Sequence, residues 1–396
     1  MKTYRLFLAL TFVTRLALAF SFATYVMFLL SRGTTLFEVS LINISFMVAI
    51  AIAEIPTGAF ADLLGRKYSF LISNLVMAAG LLIYFFADRF WLFVLAEVTA
   101  GIGMTFKSGA LEAWVVDAVA QSGDIISNDR IFSSEGIAKN AANIIGGLAG
   151  AYLGAIDLSY PWLAGAVALI ITFLFSLKLM TEPPAITRPA VQSPFAAVSE
   201  IIKKSVSFGL KKRVVLLLMM TTLISSFFYQ PLNMYWQPRF AGMVGGTVWI
   251  LGWIWVLISL SLMLGSYVVK RLPGSFPRQK SLAISALLSS LPVIAAAALI
   301  NFWPVLLLFC FYEAARGFME PLRTAFINDE IPSSERATIL SLNQVFLRLG
   351  AILGLLITGI IAQQTSVAIA WAIAAIIGLA TIPIYLACRP TAKQIS

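Results

Sequence analysis

The sequence predicts an all-α membrane protein in which 12 transmembrane helices form two pseudo-symmetric six-helix bundles. Three observations lead there: apolar runs long enough to cross a bilayer, a lopsided distribution of cations between the connecting segments, and a partial repetition of the first half in the second. The chain has 396 residues, 60% of them hydrophobic and 12% charged, with a mean hydropathy of +0.91. A soluble domain carries about twice that share of charge.

The apolar runs place candidate spans at roughly 6–30, 37–59, 68–87, 90–117, 134–156, 161–181, 214–237, 247–269, 281–300, 302–322, 338–361 and 367–388. The period-two alternation of a membrane barrel is absent. The first run follows basic residues as a signal peptide's core would, but it is too long and lacks a small-residue cleavage site, so it reads as the first span. With both termini on the cytoplasmic side, twenty of the 28 Lys and Arg residues fall in cytoplasmic segments and three (Arg32, Arg89, Arg239) on the other side. That bias sets the orientation. It also accounts for the net charge of +10 without any nucleic-acid partner.

The longest polar stretch divides the chain into 1–181, a linker at 182–213 and 214–396. Within the linker, "FAAVSEIIKKSVSFGLKKR" has the pattern of an amphipathic helix on the inner membrane surface. The flanking halves repeat one another. Glu97, Gly101 and Lys107 match Glu313, Gly317 and Arg323 at one offset, and Gly150 and Gly154 match Gly350 and Gly354 at another. "RKYSFLIS" (66–73) aligns with "RQKSLAIS" (278–285), and "SSE" recurs at 133–135 and 333–335. Duplicated membrane halves are typical of secondary transporters, with the substrate near mid-bilayer.

Several chemistries are excluded. There is no histidine, and the two cysteines, Cys310 and Cys388, each sit inside an apolar run. That removes the usual metal sites, the Ser-His and Cys-His nucleophiles and a disulfide framework. No G-x-x-x-x-G-K-[ST] loop is present, so ATP is not the expected energy source. No cofactor, no metal and no enzymatic activity are expected.

"GAFADLLGRK" (58–67) resembles the signature of the major facilitator superfamily, G-x-x-x-D-x-x-G-R-K/R, in the loop after the second of twelve spans. The preceding "EIPTG" and the later "SGALEAWVVD" (108–117) are similar to the drug:proton antiporter branch and its bacterial relatives. The resemblance covers the whole chain. It implies two six-helix bundles that rock around a central cavity, a bacterial inner (plasma) membrane location and a monomeric working unit. It also implies a latch of Gly58, Asp62, Gly65, Arg66, Lys67 and Asp117. Gly58 and Gly65 would allow close approach and a tight turn, and Asp62 would meet the N-terminus of the eleventh helix, near Thr338 to Asn343. Arg66 would pair with Asp117. The chain departs from the antiporters in two places: "NIIGGLAGAYLGA" (143–155) has no proline, and Glu97 stands where many of them carry arginine.

Charges within spans are functional candidates because they are costly in lipid. Glu97 and Glu313 are the candidates for proton or cation-substrate binding, Glu97 because no basic residue lies a helical turn away. Glu313 and Arg316 are three apart and share a face, which suits a structural ion pair equally well. Arg15, Arg316 and Arg348 either balance the acids or hold an anionic group, since Arg presents a fixed fork. Asn233, Tyr235 and Trp236, in "SSFFYQPLNMYWQPRF" (225–240), are substrate-cavity candidates; an interfacial aromatic belt disturbed by Pro231 and Pro238 is the other reading. Three residues stay open. Glu54 supports the latch or the inner cavity, Glu112 faces the inner cavity or is a solvated end charge, and Lys139 is shallow enough to snorkel inward.

The expected function is secondary transport of a small organic solute, led by proton-coupled export of a drug-like or amphipathic compound. Transport of an anionic metabolite or a lipid, including uptake, is the alternative. The expected partners are the substrate, protons and the bilayer.

Overall fold

The computed structural model describes residues 2–122, 126–182, 212–271, 277–331 and 335–388. The predicted amphipathic helix of the linker lies outside them. The chain divides into two compact units: Met1–Thr34, Leu41–Phe195 and Thr247–Val256 form the first, and Thr35–Ser40, Ala196–Gly246 and Leu257–Ser396 the second.

The helices of the first half are α1 (Lys2–Ala19), α2 (Tyr25–Ser31), α3 (Leu36–Leu64), α4 (Arg66–Phe86), α5 (Phe90–Lys107), α6 (Ala110–Ser122), α7 (Asn128–Ile156) and α8 (Tyr160–Leu179). Those of the second are α9 (Arg213–Met243), α10 (Val248–Val269), α11 (Arg278–Ala298), α12 (Phe302–Glu330), α13 (Arg336–Gln364), α14 (Val367–Leu379) and α15 (Thr381–Ala387). Among the described residues, ten helical stretches are long and apolar enough to cross a membrane. The two other predicted spans are α1 with α2, which is broken, and α7, which carries Asp129, Arg130, Glu135 and Lys139 along its first half.

Packing within each unit follows the sequence repeat. In the first, α1 packs on α7 and α8, and α4 on α5 and α8. In the second, α9 packs on α13 and α14, and α11 on α12 and α14. The repeated glycines sit where these helices meet. A Cβ at Gly150 would run into the Phe20 carbonyl, and one at Gly350 into the Leu223 carbonyl. Likewise Gly101 of α5 faces Phe46 of α3, and Gly317 of α12 faces Leu262 of α10. Small residues at such crossings let backbones approach, which is the main source of helix association in lipid.

Three boundaries differ from the sequence reading. The first span breaks into α1 and α2 at residues 20–24, where the Phe20 carbonyl lies against Gly150. The fourth breaks at Gly109, whose φ of +71° lies in the left-handed region that a side chain disfavours. The seventh is the main correction: α9 runs unbroken to Met243 with Pro231 and Pro238 inside it. Each proline removes one backbone hydrogen bond, but Tyr235, Trp236 and Phe240 are fully buried around them and hold the helix in register. The belt reading therefore fails for Trp236 and Phe240, which lie in the interior.

Candidate functional site

The signature forms a network inside the first unit. Gly65 has φ +100° and opens α4. Arg66 Nη1 meets Asp117 Oδ2 at 2.5 Å, joining the start of α4 to α6. The first free backbone N–H groups of α4 need acceptors. Glu182, just after α8, supplies them: its carboxylate accepts from Arg66 N at 2.8 Å and from Lys67 N at 2.7 Å. A Cβ at Gly65 would collide with that carboxylate, so glycine is what lets the acid reach the helix end. Lys67 Nζ donates to the Leu177 carbonyl at 3.1 Å, and Trp114 Nε1 to the Thr181 carbonyl at 2.8 Å. The side chain of Asp62 lies outside the described residues. Gly58 is exposed, and no described atom comes within 4 Å of a Cβ placed there, so the close approach expected at that glycine is not made. Glu54 is exposed on α3.

The second unit repeats the ion pair. Arg278 at the start of α11 pairs with Asp329 near the end of α12, 51 residues on, the separation of Arg66 and Asp117. The alignment of 66–73 with 278–285, at the end of a degenerate second copy of the signature (265–280), pointed to Arg278; its partner Asp329 went unnoticed.

Glu97 sits at 7% exposure in a cage of rings. Its Oε1 accepts from Tyr25 of α2 at 2.6 Å and from Tyr84 of α4 at 2.8 Å. Tyr84 stacks on Trp162 of α8 with centroids 4.0 Å apart, and Phe28 and Phe93 close the cage. No cation pairs with Glu97 among the described residues.

Elsewhere in the first unit, Arg15 of α1 donates from Nε to Asn143 Oδ1 of α7 at 2.6 Å and lies over the Phe22 ring. Lys139 of α7 is paired with two acids. It meets Glu112 of α6 at 3.2 Å and Glu135, one turn back on α7, at 2.5 Å. Glu135 is 5% exposed and was missed by the sequence reading, where it figured only as the end of a repeated "SSE".

In the second unit, Arg316 of α12 lies between Glu313, at 3.2 Å, and Asn233 Oδ1 of α9, at 2.7 Å, and over the Tyr229 ring. The structure thus brings Glu313, Arg316 and Asn233 together. Tyr235 is buried, its hydroxyl 2.5 Å from Ser40 Oγ, and Trp236 is buried beside it. Arg348 is half-buried on α13. Among the described residues no group of His, Cys, Asp and Glu could hold a metal ion.

Apolar helices long enough to cross a membrane, repeated in two halves, define a multi-pass membrane protein. The chain belongs to the major facilitator superfamily, whose model matches residues 7–278 and 244–395. It is 24% identical over 370 residues to the uncharacterized MFS-type transporter YxaM of Bacillus subtilis (strain 168), covering 91% of this chain and 90% of that one. It is 22% identical over 299 residues to multidrug resistance protein MdtH of Yersinia enterocolitica, covering 75% and 71%. The crystal structure of the nucleoside transporter NupG shares the fold at a TM-score of 0.83 and 15% identity, over 98% of this chain and 99% of that one.

Proposed function

We propose that this transporter exports an amphipathic, drug-like organic solute in exchange for protons, with Glu97 taking up and returning the proton. The observation that carries the reading is the cage around Glu97: two phenol donors on one oxygen and no paired cation among the described residues. An uncompensated charge in a low-dielectric interior costs several kcal/mol, and a proton removes it. The hydrogen bonds from α2 and α4 tie that change to helix positions. The likeness to MdtH supports export of drug-like compounds. Glu313, held by Arg316, is the second candidate for the proton.

The remaining parts of the proposal follow the same frame. Both termini are cytoplasmic, the membrane is a bacterial plasma membrane, and the protein works as a monomer. Asp62, with the Arg66–Asp117 pair behind it, latches the cytoplasmic side when that side is closed. Inside-out vesicles with an imposed proton gradient test the reading, using a lipophilic cation, a neutral drug and an organic anion, with wild type and Glu97→Gln. Gradient-dependent accumulation that disappears in the variant is expected. A gradient-independent flux, or one unchanged in Glu97→Gln, would overturn it.

A further inference from the structure

α6 is tied to its neighbours in the first unit at three points. Gly109, with φ +71°, sets it off from α5. Asp117 pairs with Arg66 at the start of α4, Trp114 Nε1 donates to the Thr181 carbonyl, and Glu112 meets Lys139 of α7. The first two ties match one donor group to one acceptor. The third does not balance. Lys139 stands between two carboxyls, with Glu112 Oε1 at 3.2 Å and Glu135 Oε1 at 2.5 Å, so two acids share one base.

The shortage is one of donors as well as of charge. Glu112 Oε1 accepts from Lys139 Nζ, but Oε2 of the same carboxyl is buried and accepts nothing among the described residues. Glu135 Oε1 touches the ammonium as an ion pair without the direction of a hydrogen bond, and it too is buried with no donor. A buried carboxylate oxygen left without a donor is destabilising. The two carboxyls lie within hydrogen-bonding reach of each other. Two carboxylates have no donor to share, whereas a carboxylic acid and a carboxylate do. One proton between them therefore serves both orphan oxygens at once and removes the repulsion of like charges.

The groups on the surrounding helices are committed elsewhere. Arg15 of α1 gives its Nε to Asn143, one turn beyond Lys139 on α7, and Tyr4 of α1 donates to Ser134, beside Glu135. Arg66 of α4 is held by Asp117, and Lys178 of α8 is exposed. Lys107 of α5 acts on the two acids through space alone, and a charge at a distance does not fill an oxygen's need for a donor. The side chains of Lys139 and Glu112 are 37% and 28% exposed, against 7% for Glu135, so the pair opens on its α6 side.

We propose that Glu112 and Glu135, bridged by Lys139, form a proton-binding site separate from Glu97, in which one exchangeable proton is held between the two carboxyls. The proton belongs to the pair and not to either residue. Because Glu112 and Asp117 share α6, uptake and release act on the segment that holds Arg66. The site goes beyond the export reading above and does not require Glu97 to carry the coupled proton.

The test is infrared difference spectroscopy of the purified full chain in liposomes, stepped in pH. The readout is the C=O stretch that a protonated carboxyl shows and a carboxylate lacks, for wild type, Glu97→Gln, Glu112→Gln, Glu135→Gln and Lys139→Gln. The expected component titrates as one proton and persists in Glu97→Gln. It is lost in Glu112→Gln and in Glu135→Gln, because either change leaves a single acid beside Lys139. Removing the cation favours the protonated form, so in Lys139→Gln the component should persist to a pH higher by about one unit or more. No such component in wild type, a signal unchanged in either acid variant, or a titration unmoved in Lys139→Gln would each overturn the site. So would a titration that follows sodium concentration, which would assign the pair to a metal cation. Should one acid variant fail to fold, the other decides. Glu97→Gln is expected to leave this component intact, so failure of the export reading in vesicles and failure of this site are separate results.

Discussion

Glu97 illustrates how a single carboxyl can be placed by sequence while its partners cannot. The absence of a base within a helical turn was visible in the chain. The phenols that take the place of a base lie 72 and 13 residues away on other helices, and no spacing rule connects them. Tyr84→Phe removes one of two donors to a buried oxygen and should cost about 1–3 kcal/mol of stability, read as a lower unfolding temperature in detergent; no change would mean the bond is not made in solution. Glu182 was illegible for a different reason, since it stands at the head of a proline-rich linker and looks like solvated charge. As the acceptor for two N–H groups of α4, its replacement by Ala should cost about 1 kcal/mol, the usual worth of a helix cap, while Glu182→Gln should retain part of it.

At the level of elements, the glycines divide into two kinds. Gly150 and Gly350 sit against carbonyls of α1–α2 and α9, so a side chain at either forces the helix pair apart. Gly150→Val and Gly350→Val should each lose about 3 kcal/mol or more, seen as loss of monodisperse protein after extraction. No described atom comes within 4 Å of a Cβ at Gly58, and Gly58→Ala in the helical α3 should be neutral or stabilising by about 1 kcal/mol. A collapse of folded protein in Gly58→Ala would contradict that. The constant offsets in the sequence exposed the first kind correctly. They could not reveal the breaks at residues 20–24 and Gly109, because an apolar run reads the same whether or not the backbone turns within it. The prolines of α9 misled in the opposite direction: local breaking tendency gave way to the packing of Tyr235, Trp236 and Phe240.

For the molecule as a whole, the two halves share neighbour pattern, glycine crossings and an ion pair 51 residues wide, yet only the first carries the full signature. That asymmetry is what a latch would leave, one half bearing the catch. Asp62→Asn should reduce transport severalfold with little change in the amount of protein in the membrane, quantified by immunoblot beside flux; normal flux would dismiss the latch. Most of the spans and the family were legible because length, hydropathy and a ten-residue motif are local properties. The pairing of Lys139 with Glu112 was not, because it depends on α6 and α7 adjoining.

The central claim is that Glu97 couples protons to substrate movement. It is tested most directly in one preparation of proteoliposomes, by comparing gradient-driven accumulation with gradient-free substrate counterflow for wild type and Glu97→Gln. The account predicts that the variant loses accumulation and keeps counterflow, because substrate still binds and crosses while the proton no longer does. Accumulation equal to wild type in Glu97→Gln would contradict it.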